Sequence, residues 1–345
     1  MHCSGSFKLY LIAVYLLIAS SVSGQTGDFN SMYNNARAFM MQGDYENATL
    51  LFNQLSAQQP NNLDVQKDYA YLLYLKRDFS KAMQLAKYIT DKPGADVQSF
   101  QILGLCYKAI AENAECKKMY KKAISQFPNS GVLYNELGEL LMEEKDISAI
   151  NYWEEGIKHD PNYSLNYYNA AQFYALSGNY FWSLLYGETF VNLESYSQRT
   201  ATMKGLLLEV YKKWYISLLG SADKWVNSRK NNFEKEVAQQ QIPLLNLMKE
   251  GVNFNHLLAF RTRFILDYFN SGVANKMPFK LFDFQQQLLR EGLFEAYNAW
   301  IFLAAESPAN YQTWINAHPS ESAAFTAFQQ SRLYQMPAGQ YYQSK

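Results

Sequence analysis

A period of 34 residues constrains this chain more than any other feature. The clearest copy, residues 97–130, reads VQSFQILGLCYKAIAENAECKKMYKKAISQFPNS. Phe100, Leu103, Gly104 and Tyr107 fall on one helix face by the i, i+3, i+4, i+7 rule, and Cys116, Tyr120 and Ala123 fall on the face of a second helix. The turn between the two lies in residues 110–115. Gly104 and Cys116 are small, so the two helices can approach closely where they cross. Tyr107 and Tyr120 fill the space beside that crossing. Pro128 lacks an N–H and punctuates the step into the next copy. A single hairpin leaves its other apolar side uncovered, so copies must stack.

Stepping by the same period finds copies at 29–62, 63–96, 131–163 and 164–197. The first carries Met32, Ala36, Phe39, Ala48, Phe52, Leu55 and Pro60 in equivalent slots, with its turn at residues 42–45. The second carries Tyr69, Ala70, Leu73, Ala82, Ala86 and Ile89, with Pro93 one residue early. The fourth carries Tyr134, Leu137, Gly138 and Leu141, then Ala149, Trp153, Gly156 and Pro161. Its second helix arrives one residue early, which predicts a shortened turn near Lys145. The fifth carries Tyr167, Ala170, Ala171 and Tyr174, but its second helix is weak, with Gly187 in the large aromatic slot. Lys121 and Lys122 occupy the slots that Glu154 and Glu155 occupy one copy later. This predicts exposed pairs worth only ~0.2–1 kcal/mol each.

The aromatic-Leu-Gly-Tyr, alanine and closing-proline slots resemble the tetratricopeptide repeat (TPR) family over residues 29–197. The resemblance implies an all-α fold: a solenoid of five helical hairpins within residues 25–197, continuing into an irregular helical region at 198–345. It also implies that the first helix of each hairpin lines a concave groove. The groove positions are Tyr33, Arg37 and Met40, then Lys67, Tyr71 and Tyr74, then Gln101 and Lys108, Asn135 and Glu139, and Tyr168 and Gln172. Tyrosine and methionine suit adaptable contact with a peptide or another protein, although any one of these aromatics can equally pack on the next hairpin. Some TPR proteins clamp the C-terminal carboxylate of chaperones with Lys, Asn and Arg. The corresponding positions here are Tyr33, Arg37, Asp68, Gln98 and Ile102, so that clamp is not carried over.

Outside the repeats, residues 1–24 combine Lys8, an apolar run over residues 9–19 and a small polar stretch. That order is the pattern of a secretory signal peptide cleaved before Gln25. The run is short of the roughly 20 residues of a membrane span, and an uncleaved anchor is the alternative. Export predicts a periplasmic, outer-membrane-associated or secreted protein. Lys plus Arg balance Asp plus Glu at 31 each, without a basic stripe, which argues against nucleic acid. Cys106 and Cys116 read as two small buried residues, with a disulfide as the alternative. After Ser197 the period fades, and helices are expected at 198–219, 222–240, 243–251, 255–270, 278–290, 293–305 and 320–333. Trp300 and Trp314 should pack there, and the tail from Met336 should fray.

No catalytic constellation stands out. His159, His256 and His318 are isolated from metal-ligand partners. There is no phosphate loop, dinucleotide fingerprint or nucleophile elbow. Glu143-Glu144 and Glu154-Glu155 read as solvated faces. The expectation is a non-enzymatic protein without a cofactor or metal, binding another protein or peptide as a scaffold or assembly factor. Two alternatives stand beside it: an envelope carbohydrate-binding protein stacking sugars on Tyr71, Tyr74 and Tyr168, and an unrecognised enzyme within 198–345.

Overall fold

The structure, a computed structural model, describes residues 28–343. The expected signal peptide lies outside the described residues. Among them every regular element is a helix. The chain divides into two compact units between Gln126 and Phe127, inside the repeat array and not at its end near residue 197.

The first unit holds three hairpins: α1 (residues 28–42) with α2 (Tyr45–Gln58), α3 (Leu63–Leu75) with α4 (Phe79–Thr90), and α5 (Val97–Ala109) with α6 (Asn113–Gln126). Each turn between the helices of a hairpin has one residue in the left-handed region: Gly43 at φ 80°, Arg77 at 62° and Ala111 at 59°. The residue after it donates its N–H back five positions, Asp44 to Phe39, Asp78 to Leu73 and Glu112 to Tyr107, at 2.9–3.0 Å. This closes the carbonyls at the helix end. Glycine tolerates that φ freely, whereas Arg77 and Ala111 pay a steric cost there. Asp44 and Asp78 then accept the N–H groups of Asn47 and Lys81, opening α2 and α4. The first helices open the same way, with Asn62 capping Val65 and Asp96 capping Ser99. Phe29, Ala36, Phe52, Leu55, Val65 and Leu72 form one core cluster, and Met40 packs against it.

The crossing of α5 and α6 is tight. A Cβ built on Gly104 would lie 1.9 Å from the Tyr120 hydroxyl oxygen, and Tyr120 is fully buried. Cys106 and Cys116 are both buried, and no disulfide joins them.

The second unit begins with two hairpins, α7 (Gly131–Glu143) with α8 (Ala149–His159) and α9 (Ser164–Ser177) with α10 (Tyr180–Leu193). The first of these corrects the expected shortened turn. Lys145 keeps the left-handed position, φ 61°, and the chain spends residues 144–148 before α8 starts. The missing residue comes out of α8, which is 11 residues long against 14 for α6. Gly138 and Gly156 sit where a Cβ would meet Trp153 and Asn166 at 2.4 and 2.3 Å.

The reading of α10 as a weak helix is also corrected. Every residue from Phe181 to Val191 is buried, so α10 is apolar on all sides because neighbours surround it. It packs on α9, on α11 (Gln198–Leu218) and on α16 (Lys280–Arg290). Gly187 replaces a large residue because Met203 and Leu207 of α11 fill that space, each 2.9 Å from where a Cβ would be.

The expected helix over 222–240 is broken into α12 (Ala222–Ser228) and α13 (Asn232–Gln241). Asn231 ends the continuity by capping Glu234 with its side chain. A 3₁₀ turn (Ile242–Met248), α14 (Phe254–Asn270) and the short α15 (Val273–Lys276) precede α16. Then α17 (Phe294–Asn298) runs through a π turn (Ala299–Leu303) into α18 (Ala304–Glu306). The sequence reading missed α19 (Pro308–Ala317), although Ser307 caps it and Pro308 opens it; α20 (Pro319–Ser331) follows. Trp300 and Trp314 are both buried. The tail does not fray. Met336 is 4% exposed, and Gln340, Tyr341 and Gln343 are held by hydrogen bonds to the Lys280 N–H, the Glu154 carboxylate and the Tyr174 hydroxyl.

Candidate binding surfaces

In the first unit the expected groove positions divide by what they already touch. Tyr33 donates to Asp68 at 2.7 Å, and Arg37 pairs with the same carboxylate oxygen at 3.3 Å. The Arg37 guanidinium also lies 5.8 Å from the Tyr33 ring centre, so these two and Asp68 form one partly exposed cluster. Burial and the Asp68 acceptor push the Tyr33 phenol well above its ordinary range.

Lys67 is not a free groove cation. It is 6% exposed and bonds Asp96 at 2.7 Å and Asp64 at 3.0 Å. Burial works to lower its amine, and the two carboxylates outweigh burial and raise it. Lys67 therefore ties α3 to the cap of α5.

Tyr71 and Tyr74 differ. Their rings stack 6.1 Å apart, and Tyr71 is 37% exposed while Tyr74 also leans on Phe79. Gln101 and Lys108 are half-buried on α5, and Ile102 of the absent chaperone clamp is buried.

In the second unit Asn135 is buried. Its amide donates to Glu139 at 2.9 Å and its carbonyl accepts from Asn169 at 2.8 Å. Tyr168 rests on Phe190 with 4.9 Å between ring centres, and Gln172 is half-buried. These positions are occupied mainly with one another and with the adjacent helix. Pro60, Pro128 and Pro161 all lie in the links between hairpins.

The reading of Glu154 as a solvated partner of Lys121 and Lys122 is overturned. Glu154 is 7% exposed, and its carboxylate accepts hydrogen bonds from the hydroxyls of Tyr174, Tyr186 and Tyr341. Burial pushes its carboxyl up to about 6, and the three phenols pull against that rise. Only Glu155 keeps an outer-surface role, beside Lys158 and His159.

A second buried carboxylate, Glu188 of α10, takes Arg261 Nη1 at 2.8 Å, Gln285 at 2.6 Å and Tyr297 at 2.8 Å. Burial alone would depress the Arg261 guanidinium, and Glu188 instead holds it above its ordinary range. No sequence signal marked either carboxylate. Among the described residues no three His, Cys, Asp or Glu side chains are grouped to hold a metal ion. No described helix is long and apolar enough to cross a membrane.

Stacked antiparallel hairpins with small residues at each crossing define a helical-repeat protein. Two models of the tetratricopeptide repeat family match this chain, at residues 39–101 and 98–130. Human tetratricopeptide repeat protein 21B is 30% identical over 139 residues. That match covers 39% of this chain and 10% of the relative, so the chain spans about a tenth of its length. Among solved structures, MamA is similar at a TM-score of 0.39 and 17% identity, over 46% of this chain and 94% of that one. A tetratricopeptide repeat protein from Parabacteroides merdae is similar at 0.42 and 11% identity, over 70% of this chain and 91% of that one.

Proposed function

We propose that this chain is an exported scaffold that binds another protein or peptide non-covalently through the first helices of its hairpins. The observation that carries the reading is the Tyr71–Tyr74 stack on α3, which leaves an aromatic face open on a rigid helix. Lys67, one turn earlier, is consumed by Asp64 and Asp96. Contact at this place is therefore aromatic in character, with charge supplied by the Arg37–Asp68 cluster. Repeat families present side chains in this way from a framework that the ligand does not have to order.

Partners captured from the native envelope supply the ligand, and titration then tests the site. Tyr71→Ala should weaken binding by about 2 kcal/mol, well over tenfold, with the melting temperature nearly unchanged. Adding Tyr74→Ala should weaken it further at some cost in stability, because Tyr74 also packs on Phe79. Lys118→Ala, an exposed residue paired with Glu115 along the same helix, is the control and should change nothing. A Tyr71→Ala protein that stays folded and binds its partner as tightly as wild type would sink the site. Binding to a glycan array in place of any protein would instead favour the carbohydrate reading.

A further inference from the structure

The second unit holds a segment that behaves as a ligand. After α20 the chain runs through residues 332–343 without regular secondary structure. It is nevertheless held at both ends by contacts to its main chain. Asn162 donates to the carbonyl of Met336 at 3.1 Å and accepts from its N–H at 2.8 Å. Asn231 donates to the carbonyls of Tyr342 and Gln343.

Tyr341 and Tyr342 reach different partners. Tyr341 donates its hydroxyl to Glu154. Tyr342 stacks on Phe233, with 4.4 Å between ring centres, and donates to the Pro278 carbonyl at 2.7 Å. Between the held ends, Pro337, Ala338 and Gly339 are exposed.

The walls are complete without the segment. Glu154 retains Tyr174 and Tyr186 as donors, each at 2.7 Å, and Phe233 retains Trp182 and Phe282 stacked at 6.0 and 6.3 Å. A buried carboxylate with lone pairs to spare selects an O–H donor, and the facing aromatic wall selects a second ring.

We propose that this channel is a binding site for an extended peptide carrying adjacent tyrosines five residues after an apolar anchor. It is filled in cis by the chain's own Met336–Gln343 and can take the same segment from a second copy. The proposal does not depend on the Tyr71–Tyr74 site, which lies in the first unit. The tethered segment competes at an effective concentration in the millimolar range, so the unaltered chain should take free peptide only weakly.

The probe is a fluorescein-labelled synthetic peptide of residues 333–345, titrated into the full chain. Apparent affinity scales with the fraction of open sites. A full chain carrying Tyr341→Phe and Tyr342→Ala should therefore bind the peptide about tenfold tighter than the unaltered chain. A peptide with the same two substitutions should lose that affinity. Unlabelled wild-type chain, its own segment engaged in cis, should displace the bound peptide only at much higher concentration than free unlabelled peptide does, and no displacement even at millimolar chain removes the second-copy part of the proposal. A variant chain with wild-type circular dichroism and melting temperature that takes no peptide overturns the site. Hydrogen exchange on the unaltered chain gives a test that needs no variant. Amides of residues 340–343 should exchange orders of magnitude faster than those of α10, and equal protection makes the segment a fixed strap.

Discussion

Gly104 shows what a single residue decides here. Its missing side chain is what lets α5 and α6 cross with Tyr120 buried between them. Gly104→Leu must push the Tyr120 ring or part the helices, and overpacking of this kind costs about 1–3 kcal/mol or more. Urea unfolding should show a lower midpoint at unchanged slope, and a curve superimposable on wild type would place residue 104 in solvent. The slot pattern identified this glycine because it recurs with its partners at fixed spacing. The same pattern misread Glu154, which shares its slot with Lys121, because slot identity carries no information about which segment later covers the outer side of α8.

At the scale of elements, the hairpins of the first unit are nearly self-specified. The left-handed residue, the N–H that closes back five positions and the aspartate that opens the next helix recur at Gly43-Asp44 and Arg77-Asp78, one period apart. Helix α10 is the opposite case. It has no polar face, and its one buried carboxylate, Glu188, is balanced by Arg261 from α14, Gln285 from α16 and Tyr297 from α17. Arg261→Met leaves that carboxylate buried without its cation, and such losses run to about 3–5 kcal/mol. Adding Glu188→Gln removes the stranded charge, so the double variant should recover part of the loss. The coupling is read from a cycle of urea unfolding curves. Additive losses would mean that the two groups do not interact.

For the whole molecule, the proposed export makes a mass prediction. The apolar run over residues 9–19 is followed by small residues, so protein recovered from its native envelope should begin at Gln25. Intact-mass analysis that finds Met1 retained on membrane-bound protein would refute cleavage.

What the sequence determined by itself is the all-α class, the hairpin unit and the close crossings. These rest on spacings of three and four residues within a helix and on one spacing of 34 between copies, both of which are local or periodic. Only the tertiary structure decided the fate of Glu154, the all-round burial of α10 and the docking of the tail. Each depends on residues far apart in the chain: Tyr341 lies 187 positions from Glu154, and Gln285 lies 97 from Glu188. A polar residue on a helix reads as solvated until some distant segment supplies its hydrogen bonds, and no periodicity reports which segment that will be.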